Sequence, residues 1–226
     1  MTKSRPRSVF SFSYGVFDLD GTLVDSIVPC IRLFSELVSR HGVDPRTAAS
    51  SYLDDTTLSL EDSFRRVLDA HAGCATDELV AGLMTDFNRL IRSEPIGFVP
   101  GAERLLRRLR RSGRVLFVSS GSPDATVNRR LGSLRSQGMF LDARGSTAVV
   151  KGPEHIELFA AGLGLTLAEF AANAFICGDF EKDMVIGRET GLYAIGVLGS
   201  VDGGRLRQAG ARRIIPDLKT LLTDRC

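Results

Sequence analysis

Long apolar runs are missing from the sequence. None of the 226 residues lies in a continuous apolar stretch of about 18 residues, the length that a membrane span requires. The polar start MTKSRPR leads into VFSFSYGVFDLD without the apolar core and cleavage site of a secretion signal. These absences exclude a membrane span or a membrane partner, and they predict a cytoplasmic protein.

Cysteine is also scarce. The four cysteines, Cys30, Cys74, Cys177 and Cys226, are widely spaced and form no CxxC pair. A zinc site or a disulfide framework is normally signalled by closely spaced or regularly repeated cysteines. We therefore expect reduced thiols, and neither a structural zinc site nor a set of disulfides.

A strong charge of either sign is missing as well, since the formal net charge is +2. The densest basic run, RLLRRLRRSGR at 104–114, has the pattern of an amphipathic helix. Leu105, Leu106 and Leu109 form one face of that helix, and arginines occupy the rest. Because no aromatic residue is interleaved for stacking on bases, nucleic acid is not expected as a partner.

What is present is an alternation of strand-like and helix-like segments in a chain that is 43% hydrophobic. Short apolar runs predict buried strands at 15–20, 115–119, 174–179, 194–197 and 213–217. Helical patterns follow at 101–111, 123–135, 153–163, 182–190 and 203–209, several of them ending at a glycine. This alternation predicts an α/β fold with a parallel, Rossmann-like sheet.

One region interrupts the alternation. From about residue 24 to residue 94 the apolar spacing is helical throughout, and no strand is predicted. The segment EPIGFVPG then leads back into the α/β pattern, and its prolines and glycines are typical of a linker. We expect a core domain formed by 1–23 with 97–226, and a small α-helical domain, 24–96, inserted after the first strand.

Acidic residues collect at the ends of two predicted strands. Asp18 and Asp20 end the first strand, in VFDLDGTLVDS, and Gly21 follows them. Asp179 ends the strand AFIC, and Asp183 comes four residues later in the opening turn of a helix. Because the carboxyl ends of parallel strands meet at one edge of the sheet, these carboxylates would repel each other unless a cation intervened. Oxygen-only ligands favour a hard divalent cation.

Two further groups fall near the same edge. Ser119 and Ser120 follow the strand VLFV, and Lys151 ends the short apolar stretch AVV. Carboxylates for a metal, a hydroxyl for a phosphate oxygen and an ammonium together predict a phosphoryl-transfer site. Of the two serines, Ser119 is the preferred hydroxyl because it follows the apolar run directly, and Ser120 is the alternative.

In this order the motifs resemble those of the haloacid dehalogenase superfamily of hydrolases with a helical cap domain, in particular the subgroup of phosphoglycolate phosphatases and β-phosphoglucomutases. DLDGT, VSS, Lys151 and GDFEKD are similar to that family's four motifs. The chain departs from the pattern in one respect, since Gly152 comes between Lys151 and Pro153 where the family commonly has proline at once.

The resemblance implies a Mg²⁺-dependent phosphatase for a small phosphorylated metabolite. Asp18 would attack phosphorus, and Asp20 would protonate the leaving oxygen. Mg²⁺ would be held by Asp18, the backbone carbonyl of Asp20 and Asp179, with Asp183 supporting the site. The phosphoryl oxygens would be bound by Ser119 or Ser120, by Lys151, and by Gly21 among the loop amides.

Other members of the superfamily fit less well. Asp20 disfavours a dehalogenase or a P-type pump, and the absence of lysine from 24–96 disfavours a phosphonatase. A sugar phosphomutase similar to β-phosphoglucomutase is the main alternative, although Thr56 and Leu60 stand where such mutases have basic residues. A non-catalytic binding protein is a weaker one. The sequence does not identify the ester, and it leaves open whether the protein is a monomer or a homodimer.

The inserted segment carries its own signals. Ser59 followed by Asp62 is a capping-box pattern that predicts a helix start. On that helix Arg66 is expected to point into solvent, whereas Arg65 is a candidate for contact with an anionic substrate tail. His41, His71 and His155 have no partner spacing, so we expect surface or packing roles for them.

Overall fold

The computed structural model describes residues 7–54 and 58–224, so Thr56 lies outside the described residues. The chain divides into two compact units, Met1–Asp25 with Gly97–Cys226, and Ser26–Ile96. Val24 and Asp25, which the sequence placed in the insertion, belong to the first unit. The reason is their pairing there: Val24 forms bridges with Asp20 and Phe98, and the Asp25 amide donates to Gly97 O at 2.9 Å.

A six-stranded parallel sheet forms the centre of the first unit, with the strand order β3-β2-β1-β4-β5-β6. The strands are β1 Tyr14–Phe17, β2 Val115–Ser119, β3 Asp142–Arg144, β4 Ala174–Gly178, β5 Tyr193–Val197 and β6 Arg213–Ile215. The fold is therefore the expected α/β class. β3 was not predicted, because its three residues are half-buried and include Asp142 and Arg144.

Helices connect these strands within the first unit. They are α5 Ala102–Arg111, α6 Asp124–Ser133, α7 Pro153–Gly162, α8 Leu167–Ala172, α9 Glu181–Thr190 and α10 Gly203–Ala209. One core cluster joins the apolar faces of α7, α8 and α9 to the sheet, and in it the Phe117 ring contacts those of Phe159 and Phe170. This packing fixes the strands from which the polar residues described below emerge.

The second unit is helical throughout its described part. Its helices are α1 Ile27–Ser39, α2 Pro45–Asp54, α3 Leu60–Ala72 and α4 Asp77–Ile91. They bury a core of their own, in which Phe64 stacks on Phe34 at a centroid distance of 4.7 Å and meets Phe87 edge-on at 6.2 Å. Aromatic contacts of this kind add to the free energy gained by burying apolar area.

The helix α3 begins as its sequence predicts, because the Ser59 side chain accepts a hydrogen bond from the Asp62 amide at 3.0 Å. The expectation for Arg66 is wrong. Its guanidinium donates to the backbone carbonyl of Ser51 on α2, and the residue is half-buried. Helical periodicity places Arg66 off the main apolar stripe, but a second helix packs on that flank.

None of the described helices is both long and apolar enough to cross a membrane.

The aromatic cluster of the helical unit gives a stability prediction. Phe64→Ala should lower the free energy of unfolding by about 3–5 kcal/mol, because it removes a fully buried ring and leaves a cavity. Val28→Ala is the control, since Val28 lies on α1 of the same unit and is 67% exposed. Urea unfolding followed by circular dichroism measures both variants, and a loss in Phe64→Ala no larger than in Val28→Ala would contradict the packing described.

Candidate active site

Buried carboxylates meet at the carboxyl edge of the two central strands. Asp18 directly follows β1, Asp179 directly follows β4, and Asp183 lies in the first turn of α9. β1 and β4 are neighbours in the sheet, and the Asp18 amide donates to Cys177 O at 2.9 Å. All three aspartates are at most 4% exposed. Such a group of buried acids needs positive charge or protons nearby.

Lys151 supplies positive charge at this position. Its Nζ lies 2.6 Å from Asp18 Oδ1 and 2.7 Å from Asp183 Oδ1, and the residue is buried. Burial by itself lowers the pKa of Lys151, but the carboxylates of Asp18 and Asp183 outweigh it and raise the pKa above its usual value. Lys151 is therefore a fixed cation that holds two of the three acids.

The loop before α7 brings Lys151 to the site. β3 ends at Arg144, so Lys151 follows a loop, 145–150, and the apolar stretch before it is not a strand. Within the loop Ser146 Oγ donates to Ser120 O at 3.0 Å and accepts from the Lys151 amide at 3.0 Å. This serine ties Lys151 to the end of β2.

Asp179 is held by two hydroxyl groups. Thr22 Oγ1 donates to Asp179 Oδ1 at 2.6 Å, and the Ser200 hydroxyl donates to Oδ2. Burial, followed by the charge of Asp18, raises the pKa of Asp179 to about 7. Burial likewise raises the pKa of Asp183 to about 6, against the lowering effect of Lys151. Asp179 and Asp183 therefore lose their protons less readily than an isolated aspartate does.

Asp20 lies apart from Lys151 and has a cation of its own. Arg130 of α6 contacts Asp20 Oδ1, and Ser122 Oγ donates to Asp20 Oδ2 at 2.7 Å. Arg130 is 5% exposed, and burial lowers its pKa to about 10, so it remains charged at neutral pH. Neither Arg130 nor Ser122 was predicted from the sequence.

The structure favours Ser120 over Ser119, which corrects the preference drawn from the sequence. Ser119 Oγ lies 2.9 Å from His155 Nδ1 in the core, whereas Ser120 Oγ lies 3.5 Å from Asp20 Oδ2. Successive side chains of an extended chain point to opposite faces, so only one of two adjacent serines can face the acids. We therefore use Ser120 as the candidate phosphate-binding hydroxyl.

His155 has the packing role expected of it. The ring is fully buried, and its Nε2 lies 3.0 Å from the carbonyl oxygen of Val149. Because a carbonyl only accepts, Nε2 carries the hydrogen and Nδ1 accepts from the Ser119 hydroxyl. Burial lowers the pKa of His155, which keeps the ring neutral. The residue thus connects β2 to the loop that carries Lys151.

Gly21 differs from its expected role as a phosphate ligand. Its amide donates to Val24 O at 2.9 Å and is therefore used within the turn. Its φ of 81° lies in the left-handed region, where glycine is favoured. Gly21 shapes the turn after Asp20 instead of offering a free amide.

Comparison with known proteins agrees with this geometry. A family model described as haloacid dehalogenase-like hydrolase matches residues 16–197, from the second half of β1 to the end of β5, and includes all the acidic residues above. The chain belongs to the haloacid dehalogenase-like hydrolases. As a member of this family it is a hydrolase, which confirms the enzyme class implied by the motifs.

Two relatives and one solved structure are similar to this haloacid dehalogenase-like hydrolase. Hexitol phosphatase A of Escherichia coli K12 is 28% identical over 200 residues, covering 85% of this chain and 86% of the relative. The phosphoglycolate phosphatase of Xanthomonas campestris pv. campestris strain 8004 is 26% identical over 185 residues, covering 81% of each. A family hydrolase from Deinococcus radiodurans R1, solved with bound phosphate and sodium, superimposes with a TM-score of 0.75 at 20% identity, covering 93% of each chain.

Two buried acids of this haloacid dehalogenase-like hydrolase each have a carboxylate oxygen that could bind a ligand. Asp18 Oδ2 and Asp183 Oδ2 are buried and have no hydrogen-bond partner in the described part of the chain. Among residues 7–54 and 58–224, no three His, Cys, Asp or Glu side chains are grouped so as to hold a metal by themselves. A cation bound by the Asp18 and Asp179 carboxylates together with a backbone carbonyl is compatible with both observations. Asp183, like Asp18, has one oxygen beside Lys151 and one without a partner among the described residues, so its supporting role at the metal stays a prediction.

Close packing beneath these acids gives a second prediction. A Cβ added at Gly178 would lie 2.2 Å from the Asp183 side chain, so Gly178→Ala must displace Asp183 from Lys151. We expect the free energy of unfolding to fall by about 1–3 kcal/mol, as is usual for overpacking. Gly162→Ala is the matched control, because nothing lies within 4 Å of its added Cβ at the end of α7. Equal stabilities of the two variants in urea unfolding would show that Asp183 is not tightly packed.

Proposed function

We propose that this hydrolase cleaves small organic phosphomonoesters in a Mg²⁺-dependent reaction that passes through an aspartyl-phosphate on Asp18. The observation that carries the proposal is the state of Asp18. One carboxylate oxygen is fixed by Lys151 at 2.6 Å, and the other is buried without a hydrogen-bond partner in the described structure. A desolvated carboxylate whose orientation is fixed by a lysine has the properties of a nucleophile.

In the first step, an oxygen of Asp18 forms a bond to phosphorus while the bond from phosphorus to the leaving oxygen breaks. Asp20 gives its proton to the leaving oxygen, so that an alcohol departs in place of an alkoxide. Asp20 is suited to this role because it is 21% exposed, whereas Asp18 is buried. Partial exposure allows its proton to be replaced from solvent.

In the second step, water attacks the phosphorus of the aspartyl-phosphate. Asp20, now a carboxylate, takes a proton from that water, the bond from phosphorus to Asp18 breaks, and inorganic phosphate is released. The atoms balance, since the ester and one water become an alcohol and phosphate. One residue thus acts as acid and then as base, and Asp20 returns to its starting state.

The phosphoryl oxygens carry negative charge that must be offset. Lys151 Nζ is the ammonium nearest to Asp18, and the Ser120 hydroxyl is available at the end of β2. Both are held before the substrate arrives, Lys151 by two carboxylates and Ser120 by the Ser122 amide, which donates to its Oγ at 3.0 Å. Donors fixed in advance stabilise developing charge without a cost of reorganisation.

Mg²⁺ is part of the proposal because the oxygen ligands suit it. The Asp18 and Asp179 carboxylates and the Asp20 backbone carbonyl would hold it, with Thr22 and Ser200 orienting Asp179. A bound Mg²⁺ would neutralise charge on the transferring phosphoryl group.

The relatives suggest which leaving groups to assay first. The relatives, a hexitol phosphatase and a phosphoglycolate phosphatase, point to hexitol phosphates and phosphoglycolate as the first esters to assay. In the helical unit Arg65 pairs with Asp77 at 2.8 Å and lies 3.5 Å from Glu61, so it is already engaged on its own unit. That pairing weakens the earlier suggestion that Arg65 meets an anionic substrate tail.

Replacement of the nucleophile is the direct test. Asp18→Asn should abolish turnover of p-nitrophenyl phosphate and of the alkyl esters, because the amide lacks the nucleophilic charge. The fold should persist, since Lys151 keeps its pairing with Asp183. Asp86→Asn, at an exposed ion pair on α4, is the control and should retain full activity. Phosphate release measures the rates, and wild-type turnover in Asp18→Asn would show that the nucleophile is a different residue.

Metal removal gives a separate prediction. Dialysis against EDTA should reduce phosphate release to background, and added Mg²⁺ should restore it, because the buried acids leave negative charge that Lys151 alone does not offset. The same protein treated with metal-free buffer is the control. Undiminished phosphate release after chelation would rule out the metal-dependent reaction while leaving the hydrolase assignment intact.

A further inference from the structure

The site contains a second buried cation besides Lys151. Arg130 comes from α6, 110 residues after Asp20 in the sequence, and its side chain is 6% exposed. Its Nη1 contacts Asp20 Oδ1 and lies 3.3 Å from Ser122 Oγ. A buried arginine is costly unless it is paired, and Asp20 is the carboxylate that pairs it.

The two oxygens of Asp20 are held by groups of different chemistry. Oδ1 faces the guanidinium of Arg130, which donates hydrogen bonds and cannot accept. Oδ2 faces two hydroxyls, Ser122 Oγ at 2.7 Å and Ser120 Oγ at 3.5 Å. A hydroxyl can rotate and can donate or accept, so Oδ2 can carry a proton without losing its neighbours, whereas Oδ1 cannot.

We propose that Arg130 is a positioning residue that fixes the Asp20 carboxylate through Oδ1 and thereby makes Oδ2 the oxygen that exchanges protons with the leaving group. This role rests on the proposed phosphatase function. Ser122 completes the arrangement by fixing the rotation of the carboxylate from the other side. Arg130 itself does not touch the reacting atoms.

The effect of Arg130 on the rate should depend on the leaving group of the ester. An alkyl leaving group departs as a strong base and needs a well-placed proton, whereas p-nitrophenolate departs readily without one. If Arg130 acts by orienting Asp20, its loss must therefore slow alkyl esters more than p-nitrophenyl phosphate. A residue that only stabilised the fold would slow both esters equally.

The test compares kcat/KM for two esters in five proteins and one control variant. The esters are p-nitrophenyl phosphate and either sorbitol 6-phosphate or 2-phosphoglycolate, whichever the wild-type protein hydrolyses faster. The proteins are wild type, Arg130→Gln, Arg130→Lys, Asp20→Asn and the double variant Asp20→Asn/Arg130→Gln. Arg129→Gln is the matched control, because Arg129 is the adjacent residue of α6 and is half-buried. Thermal unfolding checks that each variant is folded.

We expect Arg130→Gln to lower kcat/KM for the alkyl ester at least about tenfold more than for p-nitrophenyl phosphate, since general acid catalysis contributes about 10²–10⁴-fold. Arg130→Lys should fall between wild type and Arg130→Gln for the alkyl ester, because it keeps the charge but loses the planar fork. The double variant should be no slower than Asp20→Asn on the alkyl ester, because the two residues act as one unit. Arg129→Gln should match wild type on both esters.

Several results would overturn the assignment. Equal losses on the two esters, or losses that multiply in the double variant, would show that Arg130 acts independently of Asp20. A similar ester-dependent loss in Arg129→Gln would trace the effect to α6 as a whole. If Arg130→Gln does not fold, kcat/KM of Arg130→Lys for the two esters is compared with that of wild type instead. A wild-type protein inactive on every ester would overturn the proposed function and this role together, whereas active wild type with unchanged Arg130→Gln overturns the role of Arg130 alone.

Discussion

Lys151 lies between two buried aspartates, 2.6 Å from Asp18 Oδ1 and 2.7 Å from Asp183 Oδ1. Without it, β1 and α9 would bring uncompensated carboxylates together in a region shielded from water. Loss of one partner of a buried ion pair typically costs about 3–5 kcal/mol, so this contact constrains the positions of both elements. The same contact leaves the other oxygen of Asp18 buried and without a hydrogen-bond partner among the described residues, so the ion pair serves both stability and the proposed chemistry.

Contacts within the first unit hold Lys151 in that position. The lysine follows a loop, and no strand holds it in place. Ser146 ties the loop to Ser120 O, and His155 ties it to Ser119 through hydrogen bonds of 3.0 and 2.9 Å. The sequence suggested that Ser119 binds phosphate. In the structure its hydroxyl instead contacts His155, which holds the loop 145–150 before Lys151.

Much of the fold could be predicted from the sequence, because buried parallel strands are short apolar runs and the helices between them have regular spacing. The strand β3 could not, since Asp142–Arg144 is short and only half-buried. The preference for Ser119 over Ser120 was wrong because the direction of a side chain at a strand end depends on where the strand stops. Arg130 was missed for a different reason. Arginines on a helix usually face solvent, and its partner Asp20 lies 110 residues away.

The positions of the two cations separate the two carboxylates of the DLDGT motif by function. Asp18 and Asp20 are two residues apart, yet Asp18 is paired with a lysine and Asp20 with an arginine, and the two cations come from different connections in the sheet. Lys151 is shared by Asp18 and Asp183, and Arg130 faces Asp20, whereas Asp179 is held by two hydroxyls and has no ion pair among the described residues. Burial, followed by the charge of Asp18, raises the pKa of Asp179 to about 7, so this carboxyl holds a proton more tightly than an isolated aspartate does. A dication held by Asp18 and Asp179 would offset their charge and compete with that proton, so the electrostatics of the acids support the proposed Mg²⁺ site as their oxygen chemistry does.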